Sequence, residues 1–132
     1  MIDTSAWIEY LRHTGSPANV EVKRLLQEEP GDAVVTEPIV MELLAGPTDP
    51  HVVAKLERLV DGLPLLPVDA ELDYRAAATV YRTARQSGRT VRSLVDCVIA
   101  VVAARAGAVL LHADRDFGVL AECLPDLRVH PS

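Results

Sequence analysis

Asp114 and Asp116 stand one residue apart in "AVLLHADRDF", just after a run of apolar residues. Two more acids lie where burial is expected. Glu42 is the only charged residue between Pro38 and Gly46, and Asp96 is the only one in "SLVDCVIAVVAA". Asp3 follows Met1 and Ile2 directly. A carboxylate withdrawn from water without a partner is strongly destabilising. Each of these acids has an ordinary explanation. Asp3 suits a helix N-cap, Asp96 a helix first turn, Glu42 an arginine partner, and Asp114 with Asp116 a polar turn. Gathered in one place, they would repel one another until protons or a cation relieved them. Ligands that are all oxygen select a hard divalent ion, Mg2+ or Mn2+. Such an ion activates water and clamps a phosphate, as phosphodiester hydrolysis requires.

The gathering depends on the elements between the acids. Met1–Asp3 reads as a very short strand, and Thr4 or Ser5 as the cap of a helix through Leu11. "SPANVEVKRLLQEEPG" reads as a helix opened by Pro17 and closed by Pro30–Gly31. "DAVVTE" is a β-branched run, and "PIVMELLAG" a helix ending at Gly46. "DPHVVAKLERLVDG" is a helix capped by Asp49, and "LPLLPV" an extended edge. The segment 69–88 reads as a long helix capped by Asp69, with Leu72, Ala76, Val80 and Tyr81 as its apolar stripe. "VRSLVDCVIAVVAARAG" is apolar almost all round and so predicts a buried helix. "AVLLHA", "DFGVLAECL" and "LRVH" read as strand, short helix and strand. Alternation of this kind predicts an α/β fold with a central, mainly parallel sheet of four to five strands flanked by helices. In such sheets the functional groups gather beyond the carboxyl ends of the strands, where Asp3 and Asp114 would meet.

The chain has 132 residues, a length that suits one domain over 1–132. Its two cysteines, Cys97 and Cys123, lack CxxC spacing, which argues against a cysteine zinc site and fits a cytoplasmic location. No apolar run is long enough for a membrane helix, and the first residues lack a basic, apolar leader pattern. The net charge is −6, unfavourable for nucleic acid as a whole. The sign is uneven, however, because Arg82, Arg85, Arg89 and Arg92 crowd one stretch. They are the candidate contacts for a phosphate backbone, and Arg115, between the two aspartates, is another. Gly88 is expected to break the helix before Arg89. Trp7 and Tyr10 read as core or interface.

In order and spacing, "IDTSAW", "VTEPIVMELLAG", "SLVDCVIA" and "LLHADRDF" resemble a PIN-domain ribonuclease, more narrowly the VapC toxins of bacterial toxin–antitoxin pairs. The resemblance spans nearly the whole chain. It implies a Mg2+- or Mn2+-dependent endoribonuclease whose four principal acids are Asp3, Glu42, Asp96 and Asp114, with Asp116 as an assisting fifth. Thr4 and Ser5 match small hydroxyl residues beside the first acid and join the arginines as candidate substrate contacts. The resemblance also implies an RNA substrate, a VapB-like antitoxin on the apolar surface around Trp7, Ile8 and Leu11, a homodimer, and larger toxin–antitoxin hetero-oligomers. Two features depart from the family. His112 stands where a hydroxyl residue is usual, and it reads as structural. Only Met1 and Ile2 precede Asp3, where the family has a longer apolar run.

Rival readings lack a needed residue. A receiver-type signalling domain wants a lysine late in the chain, but none follows Lys55. A haloacid-dehalogenase-type phosphatase wants DxDxT after its first strand, where this chain reads Asp3–Thr4–Ser5. A PIN fold that has lost catalysis would not need every acid position filled.

Overall fold

The computed structural model describes residues 1–131. Seven α-helices are present among them: α1 (Thr4–Leu11), α2 (Pro17–Glu28), α3 (Glu37–Ala45), α4 (Pro50–Asp61), α5 (Asp73–Gln86), α6 (Leu94–Ala106) and α7 (Asp116–Cys123). The strands β1 (Val109–Leu111) and β2 (Arg128–His130) pair in parallel. Two regular strands are therefore formed rather than the four to five expected. Three other extended segments touch at single points. Ile2 bridges Leu111 in parallel, and Val35 bridges Leu65 in parallel. The Ile2 N–H donates to the Val34 carbonyl at 2.9 Å, linking the two bridged pairs. The physical reason is brevity. Asp3 already caps α1, Thr36 caps α3, and Pro64 and Pro67 flank Leu65, so each segment leaves the row after a residue or two.

Helix α6 is the centre of the packing. Its residues Cys97 to Ala103 are all buried, as an apolar surface on every side requires. It ends at Gly107, whose φ of +67° is the left-handed conformation glycine adopts freely, so the chain can turn straight into β1. Around it the core holds Ile2, Trp7, Val35, Ile39, Leu110, Phe117 and Leu120. Trp7 is fully buried and meets Tyr10 edge-on at 5.9 Å between ring centroids, which settles its role as core.

The long helix starts later than the sequence reading has it. Residues 69–72 form a turn, within which Asp69 Oδ1 accepts the N–H groups of Glu71 and Leu72. Helix α5 then buries Asp73, Ala77, Val80 and Ala84, while Leu72 and Ala76 are exposed. The phase moves because a carboxylate holds the inward position. Asp73 receives Arg105 Nε at 2.9 Å and Nη2 at 2.8 Å, and the same Nη2 reaches the Pro67 carbonyl at 3.1 Å. This pairing holds the Asp73 carboxyl below its ordinary value, and it ties α5 to the end of α6.

Candidate metal centre

Each acid is delivered by the element before it. Asp3 follows the bridging residue Ile2 and caps α1, so the helix-cap explanation and the site explanation are both true of it. Its Oδ2 accepts the Ser5 N–H at 2.9 Å and the Ser5 hydroxyl at 2.5 Å. The Ser5 Oγ in turn accepts the Ala113 N–H at 2.9 Å, pinning the start of α1 to the loop after β1. Glu42 lies on α3, one and a half turns in, and its Oε1 accepts the Thr4 hydroxyl at 2.8 Å. Asp96 lies in the first turn of α6, where the Ser93 Oγ accepts its N–H at 3.4 Å. Asp114 lies in the loop just before α7, its Oδ1 accepting the Asp116 N–H at 3.0 Å.

The structure brings all five acids together in two overlapping groups. Asp3, Glu42 and Asp96 form one, and Asp96, Asp114 and Asp116 the other; within each group one oxygen per residue lies within 4.8 Å of the rest. Asp96 belongs to both. Asp3 is 3% exposed and Asp116 4%, and the remaining three are partly buried.

The electrostatics follow from this crowding. Asp96 is pushed up to about 7, first by burial and then by the charges of Asp3, Glu42, Asp114 and Asp116. Burial also raises Asp3 and Glu42, and the hydrogen bonds from Ser5 and Thr4 only partly offset it. Asp3 Oδ1 is buried without a hydrogen-bond partner. An orphaned carboxylate oxygen inside an all-oxygen cluster is the donor set that a hard divalent cation satisfies.

The candidate substrate contacts separate into three kinds. The Thr4 and Ser5 hydroxyls are spent on Glu42 and Asp3, so they orient carboxylates rather than face a substrate. Arg82 and Arg85 lie on the exposed face of α5, with Arg85 packed over the Tyr81 ring at 5.1 Å. Arg89 lies past the end of α5, as the glycine break predicts, and pairs with Glu122 at 2.5 Å. Arg92 pairs with Asp114 at 2.9 Å and with Asp116 at 3.0 Å. Arg89, Thr90, Arg92, Arg115 and Asp116 line one open groove of about 770 Å³ beside the acids; Arg82 and Arg85 do not line it.

His112 is buried against Phe117, with 5.4 Å between centroids, and its Nδ1 accepts the Asp114 N–H at 3.2 Å. Burial lowers its pKa, so the ring is a neutral prop for the Asp114 backbone. What the sequence reading did not anticipate is that Arg92 bonds to the acids themselves. That contact joins positions 22 and 24 residues apart and leaves no local pattern.

A family model, the PIN domain, matches residues 1–122. The chain belongs to the PIN-domain family, in its VapC branch. It is 56% identical over 121 residues to the VapC ribonuclease Mb1587 of Mycobacterium bovis and to ribonuclease VapC11 of Mycobacterium tuberculosis, covering 92% of this chain and 90% of each relative. Among solved structures, VapBC2 from Rickettsia felis bound to a promoter DNA fragment superposes with a TM-score of 0.74 at 15% identity, over 98% of this chain and 96% of that one. FitAB bound to the IR36 DNA fragment gives 0.68 at 21% identity, over 97% and 91%. VapBC-5 from Mycobacterium tuberculosis gives 0.55 at 26% identity, over 71% and 77%. These likenesses put a PIN fold beneath the five acids. In this VapC chain the acids sit at the carboxyl ends of Ile2 and β1 and on the helices that flank them.

Proposed function

We propose that this chain is a divalent-metal-dependent endoribonuclease, the toxin of a VapBC-type pair. The observation that carries the reading is the convergence of Asp3, Glu42, Asp96, Asp114 and Asp116 from four chain segments, with Asp3 Oδ1 left unpartnered. Asp3, Glu42, Asp96 and Asp114 would hold Mg2+ or Mn2+, and Asp116 would assist. When bound, such an ion lowers the pKa of water and offsets charge on a phosphoryl group.

The chain's own residues supply the rest. Ser5 and Thr4 fix the carboxylates of Asp3 and Glu42, and His112 fixes the backbone of Asp114. Arg89, Arg92 and Arg115 present cations along the groove beside the acids, where a phosphodiester backbone gains from them. Covalent catalysis by Cys97 is disfavoured, because burial and the neighbouring Asp96 push its thiol up to about 11.

The antitoxin reading has its own support. Ile8, Leu11, Leu43 and Leu56 line a groove of about 300 Å³ that opens onto Thr4 and Glu42. Ile8 and Leu11 are each 38% exposed, so an apolar segment laid there would end against the acids. VapBC-5 is described as a member of the VapBC family of toxin–antitoxin systems, which favours a VapB-like partner here; a homodimer and larger hetero-oligomers belong to the same family reading. Among the described residues no helix is long and apolar enough to cross a membrane, and a cytoplasmic site of action follows from the family reading.

The test is incubation of the purified protein with total RNA and Mg2+, repeated with Asp96→Asn and with EDTA. Discrete cleavage that both changes abolish is expected. Cleavage that survives both overturns the metal mechanism, and a wild-type protein that cuts nothing while still binding its antitoxin favours a catalytically inactive PIN module.

A further inference from the structure

We infer that Arg92 is a resident counter-cation on the Asp114–Asp116 side of the site, which must leave before a second divalent ion can bind there. The inference rests on the metal-site reading above. Arg92 Nη2 donates to Asp114 Oδ1 at 2.9 Å, its Nε to Asp116 Oδ2 at 3.0 Å, and its backbone N–H to the same Oδ2 at 3.2 Å. The other side has no such cation. Among the described residues Asp3, Glu42 and Asp96 form no ion pair, and the donors to Asp3 and Glu42 are hydroxyls and a backbone N–H.

A guanidinium bound to Asp114 Oδ1 and Asp116 Oδ2 and a divalent ion compete for the negative charge of the same two carboxylates, and two cations held that close repel each other. An ion entering the Asp3–Glu42–Asp96 group displaces no side-chain cation seen among the described residues. An ion entering the Asp96–Asp114–Asp116 group displaces Arg92. The two positions therefore fill in order.

Arg92 is able to move. Its side chain is 62% exposed, and it sits in the connection between α5 and α6 rather than on either helix. It also lines the groove with Arg89, Thr90 and Arg115, where a phosphate group would offer it an alternative anion. A polyanion that draws Arg92 into the groove strengthens the second cation, and by linkage the second cation strengthens the polyanion. Arg92 thus couples full metal loading to the arrival of substrate.

The experiment is a Mn2+ titration of the RNA-free protein, followed by electron paramagnetic resonance, on wild type, Arg92→Gln and Arg92→Lys. In wild type the first Mn2+ is expected to bind at least about tenfold more tightly than the second. In Arg92→Gln the second affinity rises about tenfold while the first is unchanged. Arg92→Lys keeps the charge, loses the planar fork, and falls between the two. Circular dichroism checks that the variants are folded. Two equally tight ions in wild type, or stepwise affinities in Arg92→Gln identical to wild type, overturn the inference and leave the metal site standing. No saturable Mn2+ in any of the three proteins overturns the metal site and the inference with it.

Discussion

The two halves of the acidic site share Asp96 yet solve the same problem differently. In the Asp3–Glu42 half, burial is relieved only by neutral donors from Thr4 and Ser5, and all three carboxyls, Asp96 included, are pushed toward their protonated forms. In the Asp114–Asp116 half a guanidinium already supplies positive charge. The first half is built to gain from an external cation, and the second is provisionally satisfied by the chain itself. Like charges can thus be held together by two devices, stored protons or a movable arginine, and a single fold uses both.

The largest effect is expected where the halves join. Asp96→Asn removes a ligand from both groups and should lower RNA cleavage by about three orders of magnitude or more, measured as initial rates on a labelled RNA. Retention of a tenth of the wild-type rate would mean that the two groups do not act as one site.

Next come substitutions that separate the halves. Glu42→Gln should cost about a hundredfold or more, because it takes one of three carboxylates from the side that holds no arginine, whereas Asp116→Asn should cost on the order of tenfold. Reversal of that ranking would transfer the principal role to the arginine-paired side. Ser5→Ala should follow at about tenfold in kcat, together with a stability loss of about 1–2 kcal/mol, since it removes one of the two Ser5 donors to Asp3 Oδ2 and the acceptor of the Ala113 N–H. Urea unfolding and kinetics read the two effects separately.

The smallest effect is one of pH. Asp96 has a folded-state value of about 7 against an ordinary 3.8, so the folded chain retains a proton that the unfolded chain has lost. Between those values stability falls as pH rises, because unfolding releases that proton and its release becomes more favourable at higher pH. In EDTA, wild type should therefore lose melting temperature relative to Asp96→Asn from about pH 4 to about pH 7, by a few degrees. Saturating Mg2+ should close the gap. Parallel pH profiles for the two proteins would show that the Asp3–Glu42 half does not store a proton at Asp96.

How much of this could be read from the sequence depends on how local each signal was. Glu42 and Asp96 were conspicuous because each interrupts an apolar run, and Asp114 with Asp116 because the pair ends one. The helices were legible from signals such as Pro17, which opens α2, and Asp49, whose side chain accepts the His51 N–H at the start of α4. The strands were overcounted because Ile2, Val35 and Leu65 have strand-like neighbours but make only single bridges before helix caps and prolines intervene. Asp73 escaped notice among the polar residues of α5, since its partner Arg105 is 32 residues away, and a buried carboxylate paired to a surface arginine displaced the expected stripe. Thr4 and Ser5 stand beside Asp3 in the sequence, but their hydrogen bonds to the carboxylates and the loop become visible only when Glu42 and Ala113 arrive from elsewhere. The pairing of Arg92 is of the same kind: its type was plain, its target was not.

The most direct test of the central claim, that five convergent carboxylates form one divalent-cation site, is equilibrium binding of Mn2+ to wild type and to Asp96→Asn at neutral pH without RNA. Saturable binding by wild type that weakens by about a hundredfold or more in Asp96→Asn is the predicted result. Indistinguishable binding curves for the two proteins, or no saturable binding by wild type, would contradict it.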